Sequence, residues 1–398
     1  MTHTRLDSDK IQFLTGGPDI LEDIVNAPPL TPFSKEAAGY LDSVSKAILA
    51  DKESRSYPDV VTFAFWCRKA NLEALRKQCG DVDGRIGRGV TFHIAPSNVA
   101  VNFAYSLAAG LLAGNANIVR LSSKFFEQER IICRAMAGSM SGDFRRYVCL
   151  IKYPHSGGIT DYLSSLCDTR IIWGGDDTIE AVRRSPLKAR ASEITFADRF
   201  SICVIDSDAY LKAENKDAVA EGFYNDTYLN DQNACTSPRI IVWTGGRASE
   251  AQDVFWSVLA EAVKKRYVLQ PVQAVQKYLK FCLQSSEGGA SLTDNKDNSI
   301  YRVKVEKLTP DTADRCGNSG YFIEYHAKEL KDIVPVLTER CQTVSYCGID
   351  RDLIAGTVIE SGAGGADRIV PIGKTLDFSL VWDGYDLIRS LSRKIEVL

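Results

Sequence analysis

Histidine is scarce in this chain, and its cysteines are not paired. Only four histidines occur in 398 residues (His3, His93, His155 and His326), and none stand at metal-ligand spacing. That argues against a histidine-built metal centre. Eleven cysteines are present, but no two form a Cys-x-x-Cys pair, so neither a zinc ribbon nor a thioredoxin-like motif is suggested. Odd in number and scattered, most read as small buried thiols in a reducing cytoplasm. A basic excess is also missing. Lys and Arg total 48 against 51 Asp and Glu, a net charge of -3, which disfavours a dedicated nucleic-acid binder but leaves room for a local anion site. The longest apolar stretch, residues 99–119, is broken by Asn102, Ser106, Asn115 and Asn117. It reads as a buried helix followed by a strand rather than a membrane span. The first ten residues are polar and lack the apolar core of a secretory signal. There is no internal repeat, no low-complexity tract, and no Gly-x-Gly-x-x-Gly ahead of a helix.

What is present has the composition of a globular enzyme, 45% hydrophobic and 25% charged. Its length exceeds what one core usually supports, so two domains are expected. Strand-like runs at 89–94, 117–121, 147–153, 169–173 and 200–205 alternate with helical stretches at 99–112, 125–140, 160–166 and 178–184. Short connections between them predict a parallel α/β sheet with ligands at the carboxyl ends of its strands. The turns at Pro96–Asn98, Leu121–Ser123, Pro154–Gly158 and Gly174-Gly175 would all lie there. After Asp206 the pattern restarts with helices at 218–229, 248–265 and 272–284 and strands at 238–243, 301–305 and 321–325. The reading divides the chain into a cofactor-binding part (1–205), a second domain (206–370), and a C-terminal segment (371–398) that packs on the body or on another subunit. Residues 1–80 carry no motif.

Cys235 stands apart from the other thiols. It follows the polar loop Asp231-Gln232-Asn233-Ala234 and precedes a strand, a setting that can present a thiolate to backbone N–H donors. The stretch DQNACTSPR (231–239) resembles the Gly-Gln-x-Cys…Arg signature of the aldehyde dehydrogenase superfamily. IAPSNVAVNFAYSLAAGLLAGNANIVRLSSK (94–124) resembles the superfamily's Pro-x-Asn…Lys-Pro-Ser-Glu region. Both are more similar to the LuxC-type acyl-CoA reductases, as is the ending RIVPIGKTLDFSLVWDGYDLIRSLSR (368–393). Three separated motifs in order, from Gly89 onward, carry the resemblance.

The resemblance implies two Rossmann-like, doubly wound parallel-sheet domains with an active-site cleft between them. It also implies a reaction in which Cys235 attacks an acyl thioester, the Asn98 amide and the Cys235 N–H hold the oxyanion, and hydride from a nicotinamide yields an aldehyde. Arg120, Ser122 and Ser123 match the superfamily's cofactor turn, where Ser123 stands in place of an acid. With Arg120 and Lys124 beside it, this favours a 2′-phosphate and hence NADPH. Pro96, Gly174 and Gly175 are further cofactor candidates. The run GAGGADR (362–368) has no strand–turn–helix setting and is discounted. Hydrolytic relatives carry Glu-Leu-Gly-Gly-Lys; here Glu193 is followed by Ile-Thr-Phe-Ala. That favours thioester reduction over aldehyde oxidation to an acid, and leaves Glu193 a weaker candidate. His155 is a candidate for the crevice, whereas His93 reads as a core residue. The expected partners are an acyl thioester, an acyl-protein synthetase and further copies of the chain. NAD(P)-dependent aldehyde oxidation and a non-catalytic scaffold stand as alternatives.

Overall fold

The computed structural model describes residues 8–154, 158–286, 290–293 and 298–397. Contacts divide the chain into two units, residues 1–197 with 378–398, and residues 198–377.

The first unit holds β1 (Gln12–Thr15), β2 (Arg85–Gly87), β3 (Val90–Ile94), β4 (Ala116–Arg120), β5 (Val148–Lys152), β6 (Thr169–Trp173) and β7 (Ser192–Phe196). Six of these form one sheet in the order β1-β5-β4-β3-β6-β7, parallel except for β1 at its edge. Strands β3, β4 and β6 are buried along their whole length, as central parallel strands must be. The expected helix after β3 forms at Asn102–Leu112, with Phe103 to Leu112 all buried.

Putting that helix on the sheet buries polar groups, and each has a partner. The Asn117 amide donates to the Asn115 carbonyl (2.7 Å), which fixes its orientation. Its Oδ1 therefore accepts from His93 Nε2–H (2.9 Å). His93 Nδ1 accepts from the Ser106 hydroxyl (2.8 Å), whose oxygen accepts from Trp173 Nε1–H (2.9 Å). His93 is thus a neutral core residue, as the sequence reading had it. Gly110 is required above this chain, because a Cβ there would stand 2.0 Å from Asn117 Oδ1. Gly114 ends the helix at φ +92°.

Residues 1–80 contribute helices at Lys35–Ala50, Pro58–Trp66 and Lys69–Cys79. The first is capped by Ser34 Oγ, which accepts from Ala37 N–H (3.2 Å).

The second unit contains β8 (Phe200–Asp206), β9 (Pro238–Thr244), β10 (Ala290–Leu292), β11 (Tyr301–Val305), β12 (Tyr321–His326), β13 (Cys341–Cys347) and β14 (Arg368–Pro371). Their order is β10-β11-β12-β9-β8-β13-β14, parallel except for β10. The division thus falls before β8 rather than after residue 205, because β8 pairs between β9 and β13 inside the second sheet. Glu324 is the polar node of this unit. Its buried carboxylate accepts from the Trp243 and Trp256 indole N–H groups (2.9 and 2.7 Å) and from Arg302 Nε (2.7 Å).

The C-terminal residues return to the first unit. There β15 (Val381–Trp382) and β16 (Tyr385–Asp386) pair as a hairpin, and β17 (Ser392–Lys394) pairs with β2. Phe378 stacks on Tyr105 and Trp382 at centroid distances of 4.8 and 4.9 Å. Between β16 and β17 the chain makes one short helix, Leu387–Ser390. Among the described residues no helix is long and apolar enough to cross a membrane.

Two predictions follow from these buried polar groups. Burial holds the His93 imidazole down at about 4. Its neutral form therefore contributes stability at neutral pH, and that contribution is lost as pH falls from 6.5 toward 4, on the order of 3 kcal/mol in all. The stability gap between wild type and His93→Gln, measured by urea unfolding, should narrow between pH 7 and pH 4.5; a constant gap would contradict the assignment. Glu324→Leu, which strands Arg302 and two indoles, should cost about 3–5 kcal/mol in the same measurement, whereas a loss under about 1 kcal/mol would remove Glu324 as the node.

Candidate functional site

The first unit brings most of the expected cofactor residues to one edge. Strands β5, β4, β3 and β6 are parallel neighbours, so the turns that follow them share the carboxyl edge of the sheet. Pro96 and exposed Asn98 follow β3; Ser122, Ser123 and Lys124 follow β4; Gly174 and Gly175 follow β6. Tyr153 and Pro154 follow β5, and His155 lies outside the described residues. A recess of about 10 Å³ at this edge is walled by Ala95, Pro96, Leu121, Ser122 and Phe126, with Glu129 beside them.

The charges here are specifically arranged. Arg120 is 8% exposed, with its guanidinium 5.0 Å from the centroid of the Tyr153 ring. It is therefore not a solvated surface charge. Ser122 Oγ accepts from Lys124 N–H (3.1 Å), which folds the turn back on itself. Ser123 and Lys124 are exposed. The buried Glu129 carboxylate, pushed up by desolvation, is ion-paired with Lys152. Lys152 also donates to the Lys124 carbonyl (3.2 Å). Gly174 lies against the following helix, where a Cβ would come within 2.9 Å of Thr178. Asp176 and Asp177 occupy the first turn of that helix.

Glu193 does not belong to this edge. It is the second residue of β7, at the amino end of the strand, paired in register with Arg170. Its Oε2 accepts from both Arg170 Nε (2.9 Å) and Nη2, and its Oε1 accepts from Arg183 Nε (2.8 Å). Arg170 in turn donates to Ser164 Oγ and the Ser185 carbonyl. With both oxygens held by guanidinium groups, the carboxylate is a structural ion pair. This corrects its candidacy as a catalytic acid or base.

Cys235 lies in the second unit, on the loop between Asn230 and β9. It is half-buried, at the amino edge of the sheet. Burial pushes Cys149, Cys167, Cys316 and Cys341 up to about 12, and Cys67, Cys133 and Cys203 further still. Those thiols are inert at neutral pH. Cys282 is exposed on the helix Pro271–Ser286.

The Cys235 loop is rigidly built. Asp231 and Gln232 take left-handed φ values of +55° and +57°, uncommon for side-chain-bearing residues. Gln232 is fully buried. Its amide donates to the Pro238 carbonyl (3.0 Å), and its Oε1 accepts from Gly320 and Tyr321 N–H (2.7 and 3.2 Å). Arg239 donates to the Gln232 carbonyl (2.9 Å). The Ser201 hydroxyl donates to the Cys235 carbonyl (2.7 Å). Gln232 stood in the quoted signature without an assigned role, and its position in Gln-x-Cys was the available signal. Nothing in the sequence pointed to Ser201.

Among the described residues no group of three or more His, Cys, Asp or Glu is placed to hold a metal ion.

Residues 30–394 match the model of the acyl-CoA reductase (LuxC) family. The long-chain acyl-protein thioester reductase 2 of Photobacterium leiognathi is 24% identical over 333 residues, 78% of this chain and 64% of that protein. The corresponding Vibrio harveyi protein is 29% identical over 167 residues, 41% of this chain and 34% of its own length. This chain thus spans less than two thirds of these relatives. A lactaldehyde dehydrogenase structure superposes with a TM-score of 0.67 at 14% identity, covering 94% of this chain and 89% of that one. That likeness gives the two parallel-sheet units the aldehyde dehydrogenase fold, and the match over residues 30–394 shows that the chain belongs to the acyl-CoA reductase (LuxC) family.

Proposed function

We propose that this protein reduces an acyl thioester to an aldehyde through an acyl-Cys235 intermediate. The observation that carries the reading is the half-buried Cys235 on a loop held by buried hydrogen bonds, in a chain of this family. The Cys235 thiolate attacks the thioester carbonyl. The developing oxyanion is held by the Cys235 N–H, a donor of the kind that stabilises such charge by several kcal/mol. The tetrahedral adduct collapses, the donor's thiolate leaves, and an acyl-Cys235 thioester remains. Once the acyl carbon has gained a hydride, the bond to Cys235 breaks and aldehyde departs, regenerating the thiolate. Coenzyme A or an acylated protein carries the donor acyl group, consistent with the names of the relatives.

A reduced nicotinamide supplies the hydride, and we propose NADPH. Residues at the carboxyl edge of the first sheet support a nucleotide site there. It offers apolar walls to a base, the Ser122 hydroxyl, and the turn Ser123-Lys124 with no acid at its last matched position. Arg120, set on Tyr153, adds positive charge, while Lys152 neutralises Glu129. Pro96, Gly174 and Gly175 complete the group of binding residues. The ion-paired Glu193 provides no base for a deacylating water. This supports thioester reduction over oxidation of an aldehyde to an acid.

Incubation with a labelled acyl-CoA should place one acyl group on the Cys235 peptide, read by mass spectrometry, and added NADPH should discharge it as aldehyde. Cys235→Ala should take up no label. Label on any other residue, or discharge as free acid, would overturn the mechanism. Ser123→Glu sets a carboxylate against the ribose 2′-phosphate and should weaken NADPH about tenfold while leaving NADH within a factor of about three. Equal losses for both cofactors, measured by fluorescence titration, would move the 2′ subsite elsewhere.

A further inference from the structure

We infer that Ser201 is a positioning residue for the acylation step, setting the backbone around Cys235 so that its N–H meets the oxyanion. The inference rests on Cys235 being the nucleophile.

Both peptide planes that flank Cys235 are held, each by a different bond. In the plane before it, the Ala234 carbonyl accepts from Ser237 N–H (3.1 Å). A trans peptide points its N–H opposite to its carbonyl, so this bond aims the Cys235 N–H as long as the turn from Ala234 to Ser237, whose middle peptide is the one after Cys235, keeps its shape. In the plane after it, the Cys235 carbonyl accepts from the Ser201 hydroxyl (2.7 Å). Ser201 is fully buried, and its oxygen also accepts from Thr343 N–H (3.2 Å). The hydroxyl therefore ties the loop to β8 and β13 at once.

The sheet is locally irregular to make this possible. On one side of β8, Ser201 pairs with Pro238 and Ile202 with Ile240, so Arg239 is passed over. On the other side, Phe200 pairs with Cys341 and Ser201 with Thr343, so Gln342 is passed over. Bulges of this kind re-aim side chains and interrupt a ladder. Here two of them meet at one residue, and a side-chain oxygen takes a main-chain N–H. A serine buried merely as filler would not require both strands beside it to slip.

Acylation and alkylation of the same thiol separate positioning from folding. Alkylation by iodoacetamide needs the thiolate and access but forms no oxyanion. Acylation needs the N–H direction as well. In the full chain, Ser201→Ala should slow acyl-Cys235 formation from a labelled acyl-CoA by ~10- to 100-fold, while alkylation of Cys235 stays within about twofold of wild type and the melting temperature falls only by the few degrees that lost buried hydrogen bonds cost. Ser201→Thr, which retains the hydroxyl, should recover most of the acylation rate. If Ser201→Ala is acylated at the wild-type rate, or loses both reactions equally, the inference fails. If Ser201→Ala does not fold, Ser201→Cys, with similar bulk and a weak donor, carries the same comparison. A wild-type protein that takes no acyl group on Cys235 would instead overturn the proposed function, and the two failures are distinguishable.

Discussion

A residue on a loop has no ladder of its own, so its backbone must be held by bonds from elsewhere. At Cys235 those bonds come from side chains that are themselves buried: Gln232 across to β9 and β12, and Ser201 across to β13. Burial makes the arrangement firm, because an amide or hydroxyl that loses its partner in the interior costs ~1–3 kcal/mol. The left-handed conformations of Asp231 and Gln232 add strain that this network must offset. The loop is therefore an extension of the second sheet's core rather than a surface connection. The position is also unusual for a parallel sheet, where ligands generally gather beyond the carboxyl ends of strands. Cys235 sits at the amino edge, whereas the turns at Pro96 and Ser122 lie at the carboxyl edge of the first sheet.

In the first unit a comparable constraint works through the core. The helix after β3 lies close on the sheet only because Gly110 has no side chain and because His93, Ser106, Asn117 and Trp173 form a continuous hydrogen-bonded chain beneath it. That packing sets the direction in which the chain leaves β3 and enters β4. It therefore fixes where Pro96 and the Ser122–Lys124 turn come to lie. The Lys152–Glu129 pair and the Lys152 bond to the Lys124 carbonyl tether the same turn from the β5 side. Geometry at the carboxyl edge thus descends from groups that no cofactor would touch.

Four strands of each sheet, β3 to β6 in the first and β8, β9, β11 and β12 in the second, were legible because buried parallel strands are short continuous apolar runs between turn residues, as in Val90–Ile94 and Thr169–Trp173; β13, mixed with Gln342, Thr343 and Ser345, was not. The edge strand β7 escaped notice because Ser192, Glu193 and Thr195 alternate with apolar residues and read as part of a motif region. The unit boundary slipped by eight residues for a related reason. Phe200–Asp206 continues the strand–helix alternation of the first unit, and only tertiary pairing with β9 and β13 assigns it to the second. Cys235 was visible through its neighbours in sequence. Ser201 was not, because its role depends on two register slips, and register belongs to the fold rather than to any local pattern.

Glu193 illustrates how chemistry can be read from a carboxylate's neighbours. A general base needs a lone pair directed at water and a place within hydrogen-bond reach of it. Glu193 presents its oxygens to Arg170 and Arg183, and Arg170 is locked in turn by Ser164 and the Ser185 carbonyl. Pulling the carboxylate free would leave a guanidinium that is 2% exposed without its counter-charge, a cost of ~3–5 kcal/mol. An acyl-cysteine formed in this protein would therefore meet no activated water from that residue. The carboxylate is therefore spent on the edge of the first sheet, where it holds β6, β7 and the helix carrying Arg183 together.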